Sequence, residues 1–352
     1  MLQHRYYKED IHNTGNLDLP WDRLQDRTFL VTGASGLVGS YLVDVIMYRN
    51  RNHGMNCKVY AVGRNAGKAQ AIFADYWDSP QFQFISHDIN TPLIAPEIGV
   101  VDYVLHLASN THPVAYATDP IGTITANIIG TNYLLEFASA HHATRFAFAS
   151  SNEIYGENRG DTELFDEAYC GYIDSNTLRA GYPESKRCGE ALCQAYLKQK
   201  DLDVVIPRLT RSYGPTMLMT DTKAISQFIR KGLAGEDIIL KSAGTQFYSY
   251  TYVADAVSGL LTVLLKGECG GAYNIADSRS DITLRDLAGI IAEYAGKQVV
   301  FEIPDEVESA GYSKATKARL DSTKLKKLGW TAQYDIHSGL MRTLDILRQS
   351  EV

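Results

Sequence analysis

The chain has 352 residues, 45% hydrophobic and 21% charged, a composition that excludes a disordered, collagenous or coiled-coil protein. With 34 Lys and Arg against 41 Asp and Glu the net charge is -7, and the densest basic cluster, Lys324, Lys326 and Lys327, reads as a solvated helix face, so nucleic acid is not an expected partner. Five cysteines without a CxxC pair or zinc-type spacing predict neither disulfides nor a metal site, and the lack of any apolar run near the roughly 20 residues of a membrane span predicts a cytoplasmic protein with no membrane partner.

Residues 1–26 are polar and aromatic without a clear period and read as an N-terminal extension. From residue 28, β-rich apolar runs at 28–33, 58–63, 82–86, 102–108, 145–151 and 203–209 alternate with helical stretches. Leu37, Val38, Tyr41, Leu42, Val45 and Ile46 form one apolar helical stripe, and residues 124–138 behave alike. This alternation predicts an α/β fold, a doubly wound parallel sheet of Rossmann type, over 27–214. After Pro215 the rhythm changes to helices and single short strands, which predicts a smaller C-terminal α/β substrate lobe over 215–352, with about 250–266 returning to the first domain.

The first strand runs into a turn carrying Gly33, Gly36 and Gly39 and then a helix. Glycines there let a pyrophosphate approach free N–H groups at the helix N-terminus, so a dinucleotide is the expected ligand. The acidic residue that normally holds the adenosine ribose belongs at the end of the second strand, which here reads Gly63-Arg64-Asn65. With Arg64 in place of a carboxylate, NADP stays open beside NAD. Asp88, after the third strand, either reaches the adenine or caps the next turn.

Tyr182 and Lys186 sit four apart at the start of a helical stretch and project from one face. An ammonium beside a phenol lowers its pKa, which suits the phenol to accept a hydroxyl proton while hydride leaves the same carbon. Tyr196 and Lys200 repeat the spacing in the same helix. Tyr182 is favoured because Ser151 ends a strand at the carboxyl edge of the sheet, where ligands bind.

Together, VTGASGLVGS, HLAS, SSNEIYG and YPESK resemble the extended short-chain dehydrogenase/reductase superfamily, in its nucleotide-sugar epimerase/dehydratase branch, over about residues 27–340. HLASNTHPVAYATDPIGT with SSNEIYG and GYPESKR is most similar to UDP-glucuronate decarboxylases. The resemblance implies Tyr182 as catalytic base, Lys186 as its partner on the nicotinamide ribose, Ser151 on the reacting hydroxyl and Glu153 as the acidic residue that comes after it. It puts Tyr116 against the sugar, lines the cofactor with Gly33, Gly36, Gly39, Asp88, Ala108 and Ser109, and sets Asn127 in the helix beneath. It favours NAD, tightly bound and recycled, a nucleotide-sugar substrate, and a homodimer formed through first-domain helices.

Two departures bear on the reaction. Dehydratases carry an Asp where this chain has Asn152, which has no proton to give for expelling water. Relatives carry an Arg where this chain has Tyr248, while Arg211 in RLTRSYGP stands where the family usually has Asn. Either a cation has moved between strands near the diphosphate, or Arg211 is unrelated to the substrate. The first expectation is therefore decarboxylation of a UDP-uronic acid through a 4-keto intermediate. A 4-epimerase, a 4,6-dehydratase and a catalytically silent NAD(P)-binding module come after it, in that order.

Overall fold

The computed structural model describes residues 1–95, 98–111, 113–302 and 316–350. Its first half contains α1 (Arg5–Gly15), β1 (Thr28–Thr32), α2 (Leu37–His53), β2 (Lys58–Gly63), α3 (Ala66–Ile72), β3 (Phe82–Ser86), β4 (Tyr103–His106), α4 (Pro113–Thr118), α5 (Pro120–Ala140), β5 (Arg145–Phe148), β6 (Ser150–Ser151), α6 (Gly181–Lys200) and β7 (Val204–Leu209). The second half adds β8 (Arg211–Tyr213), α7 (Ala224–Leu233), β9 (Ile238–Leu240), β10 (Phe247–Tyr252), α8 (Val253–Lys266), β11 (Ala272–Ile275), β12 (Asp281–Thr283), α9 (Leu284–Ala295), β13 (Val299–Phe301) and β14 (Lys317–Ala318), then helices Thr323–Lys326 and Ile336–Ser350.

The large sheet runs β11-β7-β5-β4-β1-β2-β3, with β6 also on β7, and every pair is parallel. Phe29, Leu30 and Val31 of β1 are wholly buried, as expected of a strand covered on both faces. This is the doubly wound α/β fold that the sequence predicts. β1 lies between β2 and β4, so successive connections leave it in opposite directions and open a crevice at the strands' carboxyl ends. β10 organises the second sheet, with β8 and β14 parallel and β12 antiparallel to it. α8 is buried along nearly its whole length and packs on α2 and β7, while β11 joins the edge of the large sheet.

The segment read as an aperiodic extension contains α1, whose Tyr7, Asp10, Ile11 and Thr14 are all buried. Their spacing is a helical stripe, but three of the four are polar, which hides it from a search for apolar period. Tyr7 donates to Asp44 of α2, and Asp10 accepts from Tyr252, Tyr334 and Arg342. The N-terminus thus ties α2 to β10 and the C-terminal helix. No helix among the described residues is long and apolar enough to cross a membrane.

Candidate active site

A cavity of about 860 Å³ runs along the carboxyl ends of β1, β2 and β4 and continues under β8, β9 and β10. Of the residues expected at the site from sequence, Gly33, Gly36, Gly39, Arg64, Asp88, Ala108, Ser109, Tyr116, Ser151, Asn152, Glu153, Tyr182, Lys186, Arg211 and Tyr248 line it. Asn127 does not. It is fully buried, accepts from Ser109 Oγ at 2.9 Å and donates to Ser185 Oγ at 3.0 Å; it therefore braces Ser109 in the cavity wall from behind.

At one end, Gly33 has φ +66 and the backbone of Leu107 and Ala108 pressed so close that a Cβ would meet Ala108 N at 2.7 Å. Only glycine satisfies both conditions. Gly39 is fixed likewise, since its Cβ would meet Gly33 O at 2.4 Å. α2 begins at this turn without any side-chain cap, and Gly36, Leu37 and Val38 line the cavity. Its free N–H groups and positive dipole end fit a dinucleotide pyrophosphate. Asp88 lines the wall and also accepts from Asn90 N and Nδ2, at 3.0 and 3.1 Å, so it caps the turn after β3.

Farther along, Tyr182 opens α6, is 6% exposed and has its phenol beside Ser151. Ser151 Oγ also accepts from Glu153 N at 3.2 Å. Lys186, one turn along α6, is 2% exposed, donates to Ala149 O at 2.8 Å and lies 4.7 Å above the Phe148 ring. Tyr196 instead bonds Asn132 and Glu136 on α5 and is absent from the cavity lining. The expected lowering of the Tyr182 pKa is not found in the structure as it stands: burial and the Glu153 charge push it up. Burial also pushes the Lys186 ammonium down to about 7. Desolvation outweighs the pairing because the ammonium is turned toward Ala149.

Four contacts were not legible in the motifs. Arg179, in the 3-10 turn Leu178–Ala180, pairs with Glu153 at 2.8 Å and stacks 5.0 Å over the Tyr116 ring. Tyr116 in turn stacks on Tyr182, with centroids 4.9 Å apart. Arg179 precedes Tyr182 by three residues, a spacing that helix geometry alone could have flagged. The fourth contact joins two departures. β8 and β10 pair Arg211 with Tyr250, the Arg211 guanidinium lies 3.5 Å over the Tyr248 ring, and its buried Nη1 has no hydrogen-bond partner among the described residues. Arg211 and Tyr248 form one wall, with a cation held flat on an aromatic face.

Comparison with known proteins agrees with this geometry. A sequence profile described as the NAD dependent epimerase/dehydratase family matches residues 29–276. UDP-glucuronic acid decarboxylase 6 of Arabidopsis thaliana is 31% identical over 312 residues, 88% of this chain and 86% of its own. UDP-glucuronic acid decarboxylase 1 of Xenopus tropicalis is 30% identical over 324 residues, covering 92% and 72%. Among solved structures, an NAD-bound dTDP-glucose 4,6-dehydratase double mutant from Streptomyces venezuelae superposes with TM-score 0.80 at 26% identity, covering 92% of this chain and 97% of that one. A UDP-glucuronic acid 4-epimerase from Bacillus cereus, bound to UDP-glucuronic acid and NAD, shares the fold with TM-score 0.78 at 23% identity, covering 92% and 99%. With the profile match over residues 29–276 and relatives of 30% identity or more along most of its length, the chain belongs to the NAD dependent epimerase/dehydratase family.

Proposed function

We propose that the protein modifies a nucleotide-activated sugar through a transient 4-ketone, and that its net reaction is loss of CO2 from a UDP-linked uronic acid. The observation that carries this reading is the convergence of Tyr182, Ser151 and the Glu153–Arg179 pair on one end of the cavity. The identity to curated decarboxylases supports the choice among reactions.

Tyr182 takes the proton of the sugar 4-hydroxyl, which Ser151 orients. When bound, oxidised nicotinamide supplies the acceptor for the C4 hydride and a positive charge that lowers the pKa of a neighbouring phenol. The resulting ketone is β to the C5 carboxylate. The bond from C5 to the carboxylate then breaks, its electron pair passes to the ketone oxygen as an enolate, and CO2 departs. Tyr182, now protonated, and Ser151 donate hydrogen bonds to that oxygen. C5 takes up a proton from water, and Tyr182 returns its proton to O4 as C4 is reduced, so no net redox remains. On the opposite wall, the unpartnered Nη1 of Arg211 fits an oxygen of the substrate's diphosphate.

Asn152, buried beside Ser151, gives no acid for expelling water, which disfavours 4,6-dehydration. Tyr248 favours a second reading, 4-epimerisation of a neutral hexose, because the arginine expected there is lost. In that case the ketone turns over and hydride returns to its other face. We further propose a homodimer through first-lobe helices; Ile121 and Ile129 of α5 stand exposed, and light scattering would give twice the chain mass.

The test is incubation with UDP-, CDP-, dTDP- and GDP-sugars, including UDP-glucuronate, with product masses tracked beside reduced-nicotinamide absorbance. Loss of one CO2 from UDP-glucuronate, without lasting change in absorbance, is expected. An unchanged mass with a new isomer peak would establish epimerisation instead. Silence with every sugar would leave a dinucleotide-binding module.

A further inference from the structure

The adenosine end of the cavity carries charge that the proposed reaction does not use. β2 ends at Gly63, and Arg64 and Asn65 come next, so the position from which a carboxylate grips both ribose hydroxyls in many dinucleotide folds holds none. The Asn65 side chain is committed, since Oδ1 accepts from Lys68 N at 2.9 Å as the N-cap of α3. Asp88, the carboxylate across this end, accepts both of its Asn90 contacts through Oδ1 and belongs to the turn after β3, not to the end of β2. Two cations are left. Arg64 is exposed and lines the cavity, and Lys68, four residues on, is half-buried in the same wall. Neither has an ion-pair or side-chain hydrogen-bond partner among the described residues. Partial burial pushes the Lys68 ammonium down, the mark of a cation desolvated without a counter-ion. Ser35 lines the cavity beside them, its Oγ 3.8 Å from where a Cβ on Gly63 would stand.

Two uncommitted cations and a hydroxyl, with no carboxylate at the end of β2, form a receptor for a phosphate monoester and a poor one for a bare pair of hydroxyls. We infer that Arg64, Lys68 and Ser35 form a subsite for the 2′-phosphate of the cofactor's adenosine, so that this member of an NAD-dependent family binds NADP at least as tightly as NAD. The inference does not depend on which sugar reaction is catalysed.

The experiment is calorimetric titration of the purified protein, freed of bound nucleotide, with ADP-ribose and with 2′-phospho-ADP-ribose. These probes share everything except the phosphate and need no turnover. The wild type is expected to bind the phosphorylated probe at least as tightly. The double variant Arg64→Gln, Lys68→Gln should weaken that probe roughly tenfold to a hundredfold and leave ADP-ribose unchanged. Gly63→Asp should reverse the preference by restoring the carboxylate. A Cβ at Gly63 meets the Phe84 ring at 3.5 Å, an ordinary contact, so the variant keeps its fold. Tighter binding of ADP-ribose by the wild type, or equal weakening of both probes in the double variant, would overturn the assignment.

Discussion

Tyr182 is poised but not yet basic. Its ring is sandwiched at the start of α6 between the Ser151 contact and the Tyr116 ring, and burial beside Glu153 holds its pKa high. A buried phenol gains basicity only from added positive charge, so it stays protonated until a cationic ring is bound nearby. Tyr182→Phe should therefore abolish turnover while leaving the melting temperature and retained dinucleotide unchanged. Tyr196→Phe, outside the cavity, should keep near wild-type turnover. Equal loss in both would contradict the assignment. The sequence ranks these tyrosines by their place along the helix and by the strand that ends at Ser151, since the spacing to lysine is the same for both. Arg211 was legible as an oddity, but its rest on Tyr248 was not, because the pairing of β8 with β10 joins residues far apart in the chain. Arg211→Gln should raise KM for a UDP-sugar about tenfold or more with a smaller effect on kcat, as expected when a charged hydrogen bond to the ground state is lost.

At the scale of elements, α1 is the part that pattern reading missed. Its buried stripe is Tyr7, Asp10, Ile11 and Thr14, and the contacts that make it a helix face lie on α2, β10 and the C-terminal helix. Asp10 gathers two phenols and the Arg342 guanidinium. Asp10→Ala leaves those donors buried without their acceptor and should cost about 3 kcal/mol in urea unfolding, with the cofactor cavity untouched. Asp44, on α2, makes a pH prediction. Burial pushes its pKa from 3.8 to about 7 despite hydrogen bonds from Tyr7 and Tyr76. Between those values the folded chain holds a proton that the unfolded chain has lost. The contribution is complete below the unfolded pKa and disappears as pH rises through about 7. Asp44→Asn keeps an acceptor oxygen without the charge, so it should flatten the fall in stability across that window and raise the urea midpoint above it.

For the whole molecule, the strand order carries the function. Because β1 sits between β2 and β4, the glycine turn and the Ser151–Tyr182 end open into one crevice, and β8 to β10 close it from the other side. That much of the sheet was readable, since the central strands β1, β2 and β4 are apolar runs buried on both faces. Asn127 was harder to read, because only the fold shows that it meets the cavity wall through Ser109 while holding Ser185 of α6. The Glu153–Arg179 pair was likewise hidden, as its partners come from separate short turns. The central claim is that C4 of the sugar is oxidised and reduced again around the loss of CO2. The most direct measurement supplies UDP-glucuronate deuterated at C4 and tracks the product by mass and proton spectra. The account predicts a product lighter by CO2 with deuterium still at C4, and a rate lowered by the heavier isotope if hydride transfer limits turnover. Retained carboxylate, or CO2 lost with the deuterium exchanged into solvent, would contradict it.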